Sequence, residues 1–247
     1  MIPKVIHYCW FGRNSKPEIF NKCLKSWKKH CPDYQIIEWN EDNVDLDKFA
    51  FAKEALEHKK FAFVSDQVRF NVLYNYGGIY LDTDVELIKP LDDLLTNQSF
   101  MGIEIDNLVN PGLIVGAVAK SKVIKEFVDL YDRLEFINSD LTLNLTTVVT
   151  YASQIINKIG KITNTKISQF EGITIYPIEY FNPIDIRHTK KHLSKKTYSI
   201  HHYQGSWLTD GQKKRIERTK KIKKILGNRI YNILSKVKLK LWRRGSK

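Results

Sequence analysis

The stretch YGGIYLDTDV, residues 76–85, decides how the central part of this chain is interpreted. It contains a double glycine, a short apolar run and then two aspartates, Asp82 and Asp84, that are one residue apart. Gly and Asp are both depleted in β-strands, so something else in the structure must account for them. The stretch therefore predicts a short strand over 79–81 that ends at a turn, a metal ion or a substrate.

The residues before this stretch predict a helix that leads into the strand. In FVSDQVRFNVLYNYGG, residues 63–78, apolar side chains recur at four-residue steps and the glycines end the helix. Ser65 is a candidate N-cap, and a start one turn earlier is the alternative. Asp66 and Arg69 then share one helix face, either as a surface ion pair or as part of a site. Helix and strand together bring three carboxylates and one guanidinium into a short unit.

The chain around this unit alternates predicted strands and helices. That alternation is typical of an α/β sheet with helices on its faces. The predicted strands cover residues 5–10, 35–39, 100–103 and 112–118. The predicted helices cover residues 17–31, 49–56, 123–134 and 145–159.

Composition excludes several classes of protein. Apolar residues make up 43% of the chain, as expected for a full globular core, and no apolar run reaches the roughly 20 residues that span a bilayer. The N-terminal MIPKVIHYCWFG does not resemble a signal peptide. Cys9, Cys23 and Cys31 show no CxxC spacing, which argues against a disulfide framework or a zinc site and favours a reducing cytoplasm.

The positive charge of the chain is concentrated at its C-terminal end. Residues 212–247 contain fifteen Lys and Arg and one acidic residue, Glu217, whereas residues 1–211 carry a net charge of −1. We therefore expect a near-neutral globular domain over 1–211 and a basic tail over 212–247. The globular domain has no charge footprint for nucleic acid, so an anionic partner would bind the tail.

The tail also has the pattern of an amphipathic helix. In TKKIKKILGNRIYNILSKVKLKLWRRG, residues 219–245, apolar residues recur at three- and four-residue steps and Lys or Arg fills the gaps. This pattern predicts a helix that lies on an anionic membrane surface. The alternatives are packing on the globular part, an oligomer contact and nucleic-acid binding.

The aspartate pair has a chemical interpretation of its own. Open α/β sheets bind their ligands at the carboxyl ends of strands, which is where Asp82 and Asp84 are predicted to lie. Oxygen ligands of this kind suit Mg²⁺ or Mn²⁺, often together with substrate phosphates. An isolated polar turn is the alternative, because Asp is common in turns.

Three segments together resemble a known family. IPKVIHYCWFG, FVSDQVRFNVLYNYGGIYLDTDV and IHHYQGSW occur in this order. They resemble the bacterial and fungal sugar transferases with a DxD motif, which include capsular polysaccharide transferases and the yeast initiating α-mannosyltransferase. The clostridial glucosylating toxins are more distant relatives. The resemblance covers about residues 1–207.

The resemblance implies a GT-A fold, a nucleotide-diphosphosugar donor, and Mn²⁺ or Mg²⁺ as cofactor. Carried over by motif, Asp82 and Asp84 are the DxD pair. Asp84 is expected to bind the metal, and Asp82 the ribose or the metal through water. Asp66 and Arg69 are expected to contact the donor sugar and its phosphates.

Three further residues are expected near the substrates. Trp10, at the end of the first strand, is predicted to stack on the nucleotide base, with a core position as the alternative. Tyr80 is predicted to lie near the donor, with a core role again the alternative. Asn110, in NPGLIVGA, is predicted to lie near the donor or acceptor sugar, or else to form a turn before a proline.

The late segment is expected to close over the diphosphate. His201 or His202 would complete the metal shell, and only one of them can point at the ion because successive strand residues face opposite ways. Ser206 and Trp207 are expected to hold the leaving phosphate.

These expectations combine into one predicted function. The chain would be a retaining hexosyltransferase that uses a UDP-sugar, or a GDP-sugar, and a saccharide acceptor that is lipid-linked, in bacterial capsule or surface polysaccharide synthesis. It would be cytoplasmic and peripheral at the inner face of the plasma membrane. The alternatives are a glycoside hydrolase with paired carboxylates and a non-enzymatic membrane or nucleic-acid binder that acts through the tail.

Overall fold

The computed structural model describes residues 1–184 and 193–203, which form a β-sheet with helices on both faces. In that part of the chain, the strands are β1 (Val5–Cys9), β2 (Gln35–Trp39), β3 (Gly78–Tyr80), β4 (Val85–Leu87), β5 (Ser99–Ile105), β6 (Leu108–Val109), β7 (Val115–Ala117), β8 (Ser168–Phe170), β9 (Ile173–Tyr176) and β10 (Ser199–His201). The helices are α1 (Glu18–His30), α2 (Ala50–Glu57), α3 (Phe61–Tyr76), α4 (Lys122–Tyr131), α5 (Val148–Ile159) and α6 (Ile178–Phe181).

The main sheet is mixed. Its strand order is β2-β1-β3-β7-β5-β9-β8, and β6 pairs with β5. Strand β1 runs parallel to β2 and β3, whereas β7 is antiparallel to β3 and β5. Strands β4 and β10 form a separate antiparallel ribbon. The predicted α/β fold class is confirmed for the described residues.

The sheet separates two hydrophobic cores. On β3, Ile79 packs into a core that contains Phe20 and Trp27 of α1. The next residue, Tyr80, packs into the other core, which contains Phe70 of α3 and apolar residues of α2, α4 and α5. Neighbouring strand residues point to opposite faces, so helices must cover both sides of the sheet.

Most predicted elements are found, and the boundary differences have local causes. Helix α3 begins one turn before Ser65, whose hydroxyl donates to the Phe61 carbonyl at 3.1 Å from within the helix. The earlier of the two predicted starts is therefore correct. Strand β7 is shorter than the predicted 112–118, because a turn closed by Leu113 N and Asn110 O at 3.1 Å precedes it.

The double glycine is explained by the close approach of β3 to β1. Gly77 and Gly78 have φ values of +67° and +103°, a region that side chains with a Cβ rarely adopt. A Cβ on Gly78 would lie 2.8 Å from both His7 Nε2 and the Val5 carbonyl oxygen. The glycines thus end α3 and set β3 against β1, which fixes the start of the DxD segment.

His7 is a buried histidine that burial keeps neutral and that two hydrogen bonds orient. The Trp39 indole N–H, which can only donate, lies 3.1 Å from His7 Nδ1, so Nδ1 accepts this hydrogen bond. Nε2 then carries the proton and donates to the Gly77 carbonyl at 2.8 Å. Burial lowers the pKa of His7 to about 4.

This arrangement predicts that the protein loses stability as the pH is lowered through a defined window. The native pKa of His7 lies below the usual value of about 6.5, so the unfolded chain binds more protons between these values. The His7 contribution is complete above pH 6.5 and is lost as the pH falls toward 4. We expect the free energy of unfolding to fall by about 2 kcal/mol more in the wild type than in His7→Gln between pH 7 and pH 5. Urea unfolding at both pH values measures this difference, and an equal loss in both proteins would contradict it.

The three cysteines are core residues. Cys9, Cys23 and Cys31 are all buried and free. Burial raises the pKa of Cys9 to about 12, so its thiol stays protonated near neutral pH. The sequence spacing argued against a disulfide framework, and three free thiols agree with that prediction.

The predicted tail, residues 212–247, lies outside the described residues. The division into 1–211 and 212–247 and the amphipathic helix therefore stay predictions. Within 1–184 and 193–203, the helices are too short or too polar to cross a bilayer.

Candidate active site

The two aspartates of the DxD motif lie in the turn between β3 and β4. Leu81 N still donates to the His7 carbonyl at 3.0 Å, and Val85 N donates to the Asp82 carbonyl at 3.0 Å. Asp84 is buried, whereas the Asp82 side chain keeps 30% exposure. Because β1 and β3 are parallel, the turn lies at the carboxyl edge of the sheet, where a ligand is expected.

Strand β10 brings a histidine to this turn. His201 pairs with Val85 of β4, and its Nε2 lies 3.0 Å from Asp84 Oδ1. One ligand atom each from Asp82, Asp84 and His201 lies within 4.8 Å of the other two. Two carboxylates and an imidazole form a donor set that suits a divalent ion such as Mn²⁺.

His202 points away from this cluster. Its Nε2 lies 2.8 Å from Glu86 Oε2, and the same oxygen binds Lys22 Nζ of α1 at 2.6 Å. The alternation along β10 therefore brings His201, and not His202, to the aspartates. His202 instead ties the end of β10 to β4.

Helix α1 holds the ribbon that carries these residues. The Trp27 indole N–H donates to the Val85 carbonyl at 2.7 Å, and Leu87 N donates to Ser26 Oγ at 2.9 Å. Both bonds fix the backbone of β4 directly after Asp84. The position of the cluster is thus set by buried contacts rather than by an exposed loop.

The electrostatic environment of the cluster favours positive charge. Burial disfavours the charged form of His201, but the neighbouring Asp84 and then Asp82 outweigh it, so the pKa of His201 is raised. Desolvation also raises the pKa of Asp82, although Arg69 opposes this shift. A cation at this position would therefore compensate carboxylates that are partly withdrawn from water.

Arg69 links helix α3 to the DxD turn. Its NH2 lies 2.8 Å from Asp66 Oδ1, and its NH1 lies 3.3 Å from Asp82 Oδ1. The Arg69 and Asp66 side chains are only 4% and 8% exposed, so the surface-pair alternative is wrong. Burial raises the pKa of Asp66 to about 7, and Arg69 opposes this shift.

The Tyr80 ring packs against the guanidinium of Arg69. The guanidinium lies over the Tyr80 ring, 4.5 Å from its centroid. Tyr80 itself is 1% exposed, which places its ring in the core. The contact orients Arg69 through a cation–π interaction, so Tyr80 lies near the predicted site in a supporting position.

The loop after β6 closes on Asp82. Asn110 is buried, and its Oδ1 accepts from Gly112 N at 2.7 Å. A Cβ on Gly112 would lie 2.4 Å from Asp82 Oδ2 and 2.9 Å from Asn110 Oδ1. The structure thus brings Asn110 to the DxD turn and gives Gly112 a role that its sequence context did not reveal.

Trp10 lines a separate cleft just after β1. Its ring is half-buried, and its indole N–H donates to the Asn14 carbonyl at 2.8 Å. The cleft has a volume of about 380 Å³. Its lining residues are Trp10, Arg13, Asn14, Lys16, Glu38, Asn40, Glu41 and Asp42. A partly exposed indole beside a cleft is compatible with the predicted stacking on a base.

We expect Trp10→Ala to weaken nucleoside diphosphate binding by about 1–3 kcal/mol, the size of one stacking contact with a base. Calorimetric titration of UDP and GDP in Mn²⁺ measures this effect. Circular dichroism must show that the variant is folded, because the ring also packs near Phe20. Unchanged affinity for both nucleotides in a folded variant would remove Trp10 from the site.

Ser206 and Trp207, predicted to hold the leaving phosphate, lie outside the described residues. The other predicted site residues fall into three places. Asp66, Arg69, Tyr80, Asp82, Asp84, Asn110 and His201 lie around the DxD turn, Trp10 lies in the neighbouring cleft, and His202 lies on the other side of the ribbon.

One segment of the chain is similar to a described protein family. Residues 17–101 match the family described as "Glycosyltransferase sugar-binding region containing DXD motif". The resemblance predicted from the sequence motifs is thereby confirmed, and the matched segment contains Asp66, Arg69, Asp82 and Asp84.

Two relatives of this glycosyltransferase segment come from Schizosaccharomyces pombe. Inositol phosphoceramide mannosyltransferase 1 is 32% identical over 111 residues, which are 40% of this chain and 33% of the relative. Inositol phosphoceramide mannosyltransferase 3 is 36% identical over 98 residues, which are 38% of this chain and 27% of the relative. The match therefore spans a third or less of the length of these relatives.

Solved glycosyltransferase structures are also similar to the chain. PaToxG glycosyltransferase has a TM-score of 0.47 and 20% identity, over 64% of this chain and 74% of that chain. A likeness of this strength adds nothing to the fold and site already described.

Proposed function

We propose that the chain is a metal-dependent, retaining glycosyltransferase that moves a hexose from a nucleotide-diphosphosugar to a saccharide acceptor. One observation carries this proposal. Asp82, Asp84 and His201 converge within 4.8 Å, and Arg69 lies 3.3 Å from the same Asp82. A metal-binding group beside a fixed guanidinium is suited to a substrate that carries phosphate groups.

The residues of the site have two different roles. Asp82, Asp84 and His201 would hold Mn²⁺ or Mg²⁺, which supplies Lewis-acid neutralisation of charge on a leaving diphosphate. Arg69 presents a fixed positive charge that Asp66 and the Tyr80 ring hold in place. Such preorganised charge needs no rearrangement when negative charge develops, so it lowers the barrier directly.

The donor and acceptor belong to the proposal. A UDP-sugar is preferred and a GDP-sugar is possible, with Trp10 stacking on the base. The names of the two fungal relatives describe mannose transfer to an inositol phosphoceramide, which is a lipid. These names support a hexose donor and a lipid-linked acceptor for this chain, and capsule or surface polysaccharide synthesis remains the proposed setting.

The test is a screen of the purified full chain. UDP- and GDP-hexoses, GDP-mannose included, are incubated with Mn²⁺, Mg²⁺ or EDTA, and with methyl hexopyranosides or myo-inositol as acceptors. We expect one donor to be turned over with metal and spared with EDTA, and the product to keep the anomeric configuration of the donor. The proposal is overturned if no donor is turned over and no donor is bound in a metal-dependent way.

A glycoside hydrolase is the competing enzyme. Its two carboxyl groups flank a sugar ring, about 5–9 Å apart. Here Asp82 and Asp84 converge with His201 on one point, which is better suited to an ion. Cleavage of aryl glycosides that resists EDTA, without turnover of any nucleotide sugar, would favour the hydrolase.

The tail is proposed to hold the enzyme at the inner face of the plasma membrane. Residues 212–247 combine an apolar stripe with a net charge of +14, and each basic residue near an anionic surface contributes about 1 kcal/mol. We expect the full chain to sediment with vesicles that contain phosphatidylserine, and at least ten times less with neutral vesicles or in 1 M salt.

A chain that ends at residue 211 is the comparison for this membrane prediction. It should stay in the supernatant while keeping its circular dichroism spectrum. If the full chain ignores anionic vesicles, or if the shortened chain unfolds, the tail belongs to the globular part or to an oligomer contact.

A further inference from the structure

Gly112 lies where the turn before β7 meets the Asp82 carboxylate. A Cβ on Gly112 would lie 2.4 Å from Asp82 Oδ2, 3.3 Å from Asp82 Cγ and 2.9 Å from Asn110 Oδ1. Non-bonded heavy atoms repel each other strongly at such a distance, since contacts between carbon atoms are most favourable at about 3.5–4.0 Å. The Asp82 carboxylate therefore occupies the space that a side chain at position 112 would need.

The requirement for glycine at this position is steric. In the described part of the chain, positive φ values are found for Gly12, Gly77, Gly78 and Gly172, and not for Gly112. A residue with a Cβ can therefore adopt the backbone conformation found at position 112. The neighbouring side chains, and above all the Asp82 carboxylate, are what exclude it.

The group that Gly112 makes room for sets it apart from similar glycines. Three other glycines within residues 1–184 and 193–203 also lack a positive φ, and in each a Cβ would come within 2.6 Å of a phenylalanine ring. They are Gly102, Gly116 and Gly160. These three leave space for apolar packing, whereas Gly112 leaves space for a side chain of the DxD motif.

The turn over residues 110–113 is held firmly in place. Gly112 N donates to Asn110 Oδ1 at 2.7 Å, and Leu113 N donates to the Asn110 carbonyl at 3.1 Å. Asn110 N donates to the Gly102 carbonyl of β5 at 3.0 Å, and Leu113 is fully buried. The Asp82 side chain is 30% exposed, so a side chain at position 112 would turn the carboxylate toward solvent rather than move the turn.

The Asp82 carboxylate has partners that such a rotation would remove. Its Oδ1 lies 3.3 Å from Arg69 NH1, and its Oδ2 faces Gly112. One of its oxygens also lies within 4.8 Å of ligand atoms from Asp84 and His201. A divalent ion tolerates little displacement of a ligand, because Mg²⁺, for example, holds its oxygen ligands at about 2.0–2.1 Å.

We propose that Gly112 is a positioning residue of the metal site. Its missing side chain lets the turn over residues 110–113 lie against Asp82 and hold the carboxylate between the Arg69 guanidinium and the other two ligand atoms. Groups that orient metal ligands in this way commonly affect metal affinity. The inference rests on the proposed function, because it takes Asp82 to be a metal ligand.

The experiment is a double-variant cycle on metal affinity. Mn²⁺ binding to the full chain is measured from the EPR signal of the free ion, with UDP or GDP present. The proteins are the wild type, Gly112→Ala, Asp82→Ala and the double variant. We expect the Kd of Mn²⁺ to rise at least tenfold in Gly112→Ala. In the Asp82→Ala background the same substitution should change the Kd less than twofold, because the displaced group is gone.

Transfer kinetics give a second readout. In Gly112→Ala, the Mn²⁺ concentration that gives half-maximal transfer should rise together with the Kd. A purely structural defect would instead lower the rate at every Mn²⁺ concentration. The control is Gly160→Ala at the end of α5, where the added Cβ would lie 2.1 Å from the Phe170 ring. Its Kd for Mn²⁺ should stay within twofold of the wild type.

The remaining outcomes separate the alternatives. If Gly112→Ala binds Mn²⁺ as the wild type does, or weakens binding equally in the Asp82→Ala background, Gly112 does not act through Asp82 and the inference is wrong. If Gly112→Ala fails to fold and the double variant folds, the collision with Asp82 is demonstrated. If both fail to fold, the turn needs glycine for its own structure and the inference is wrong. If the wild type binds no Mn²⁺, the metal site of the proposed function fails, and the inference fails with it.

Discussion

The Asp84→Ala variant is expected to lose at least about a hundredfold in transfer rate, or about 3 kcal/mol of transition-state stabilisation. Asp84 contributes one of the three converging ligand atoms, and its Oδ1 also lies 3.0 Å from His201 Nε2. Its removal takes away a ligand and also the group that positions a second ligand. The loss should therefore exceed that of one independent contact.

Folding of this variant should be preserved. The Asp84 backbone carbonyl, which accepts from His202 N at 3.0 Å, is retained in an alanine. The turn also keeps the hydrogen bond from Val85 N to the Asp82 carbonyl. A near-native circular dichroism spectrum and urea midpoint are expected, so lost activity can be assigned to the site.

The measurement pairs turnover with metal binding. Transfer is followed at several Mn²⁺ concentrations, and the Kd of Mn²⁺ is measured by calorimetry for the wild type, Asp84→Ala and Asp84→Asn. Asp140→Ala, in an exposed turn, is the control and should behave as the wild type. The metal assignment is falsified if Asp84→Ala keeps wild-type turnover and an unchanged Kd for Mn²⁺.

Local patterns predicted much of the fold. The periodicity of α1 and α3, and the apolar runs of β1 and β5, are long enough to specify their own structure. The β4–β10 ribbon was not predicted, because each strand has three residues and its partner is more than a hundred residues away. Its stability comes from contacts with α1, which no local window of sequence contains.

The site was predicted to the extent that its residues are close in sequence. Asp66, Arg69, Asp82 and Asp84 lie in one helix–strand unit, so their spacing implied their proximity. The choice between His201 and His202 required the register of β10.

The burial of the Asp66–Arg69 ion pair is indicated by the apolar character of α3, whereas the spacing of the two residues does not indicate it. The helix is apolar around most of its circumference, with Phe63, Val64, Val68 and Phe70 all buried. A helix of that kind is enclosed by protein on several sides. Burying charged residues on such a helix therefore costs more free energy than placing them on a surface helix. They are found there when they pair with each other or belong to a functional site.

That burial makes Arg69→Met the substitution with the largest expected effect on stability. The change removes the positive charge that lies 2.8 Å from Asp66 and 3.3 Å from Asp82. A buried carboxylate that loses its partner costs about 3–5 kcal/mol, part of which is recovered if the acid takes up a proton. Urea unfolding at pH 7 should show this loss, and a change below 1 kcal/mol would contradict the buried arrangement.

A double variant separates the structural role of Arg69 from its role in the reaction. In Asp66→Asn/Arg69→Met the buried acid is neutralised, so at least half of the lost stability should return. Transfer should nevertheless stay at least about tenfold below the wild type, because Asp82 and the bound donor still lack the guanidinium. If the double variant regains both stability and wild-type transfer, Arg69 serves only to neutralise Asp66, and the positive charge at this end of the site has no part in the chemistry.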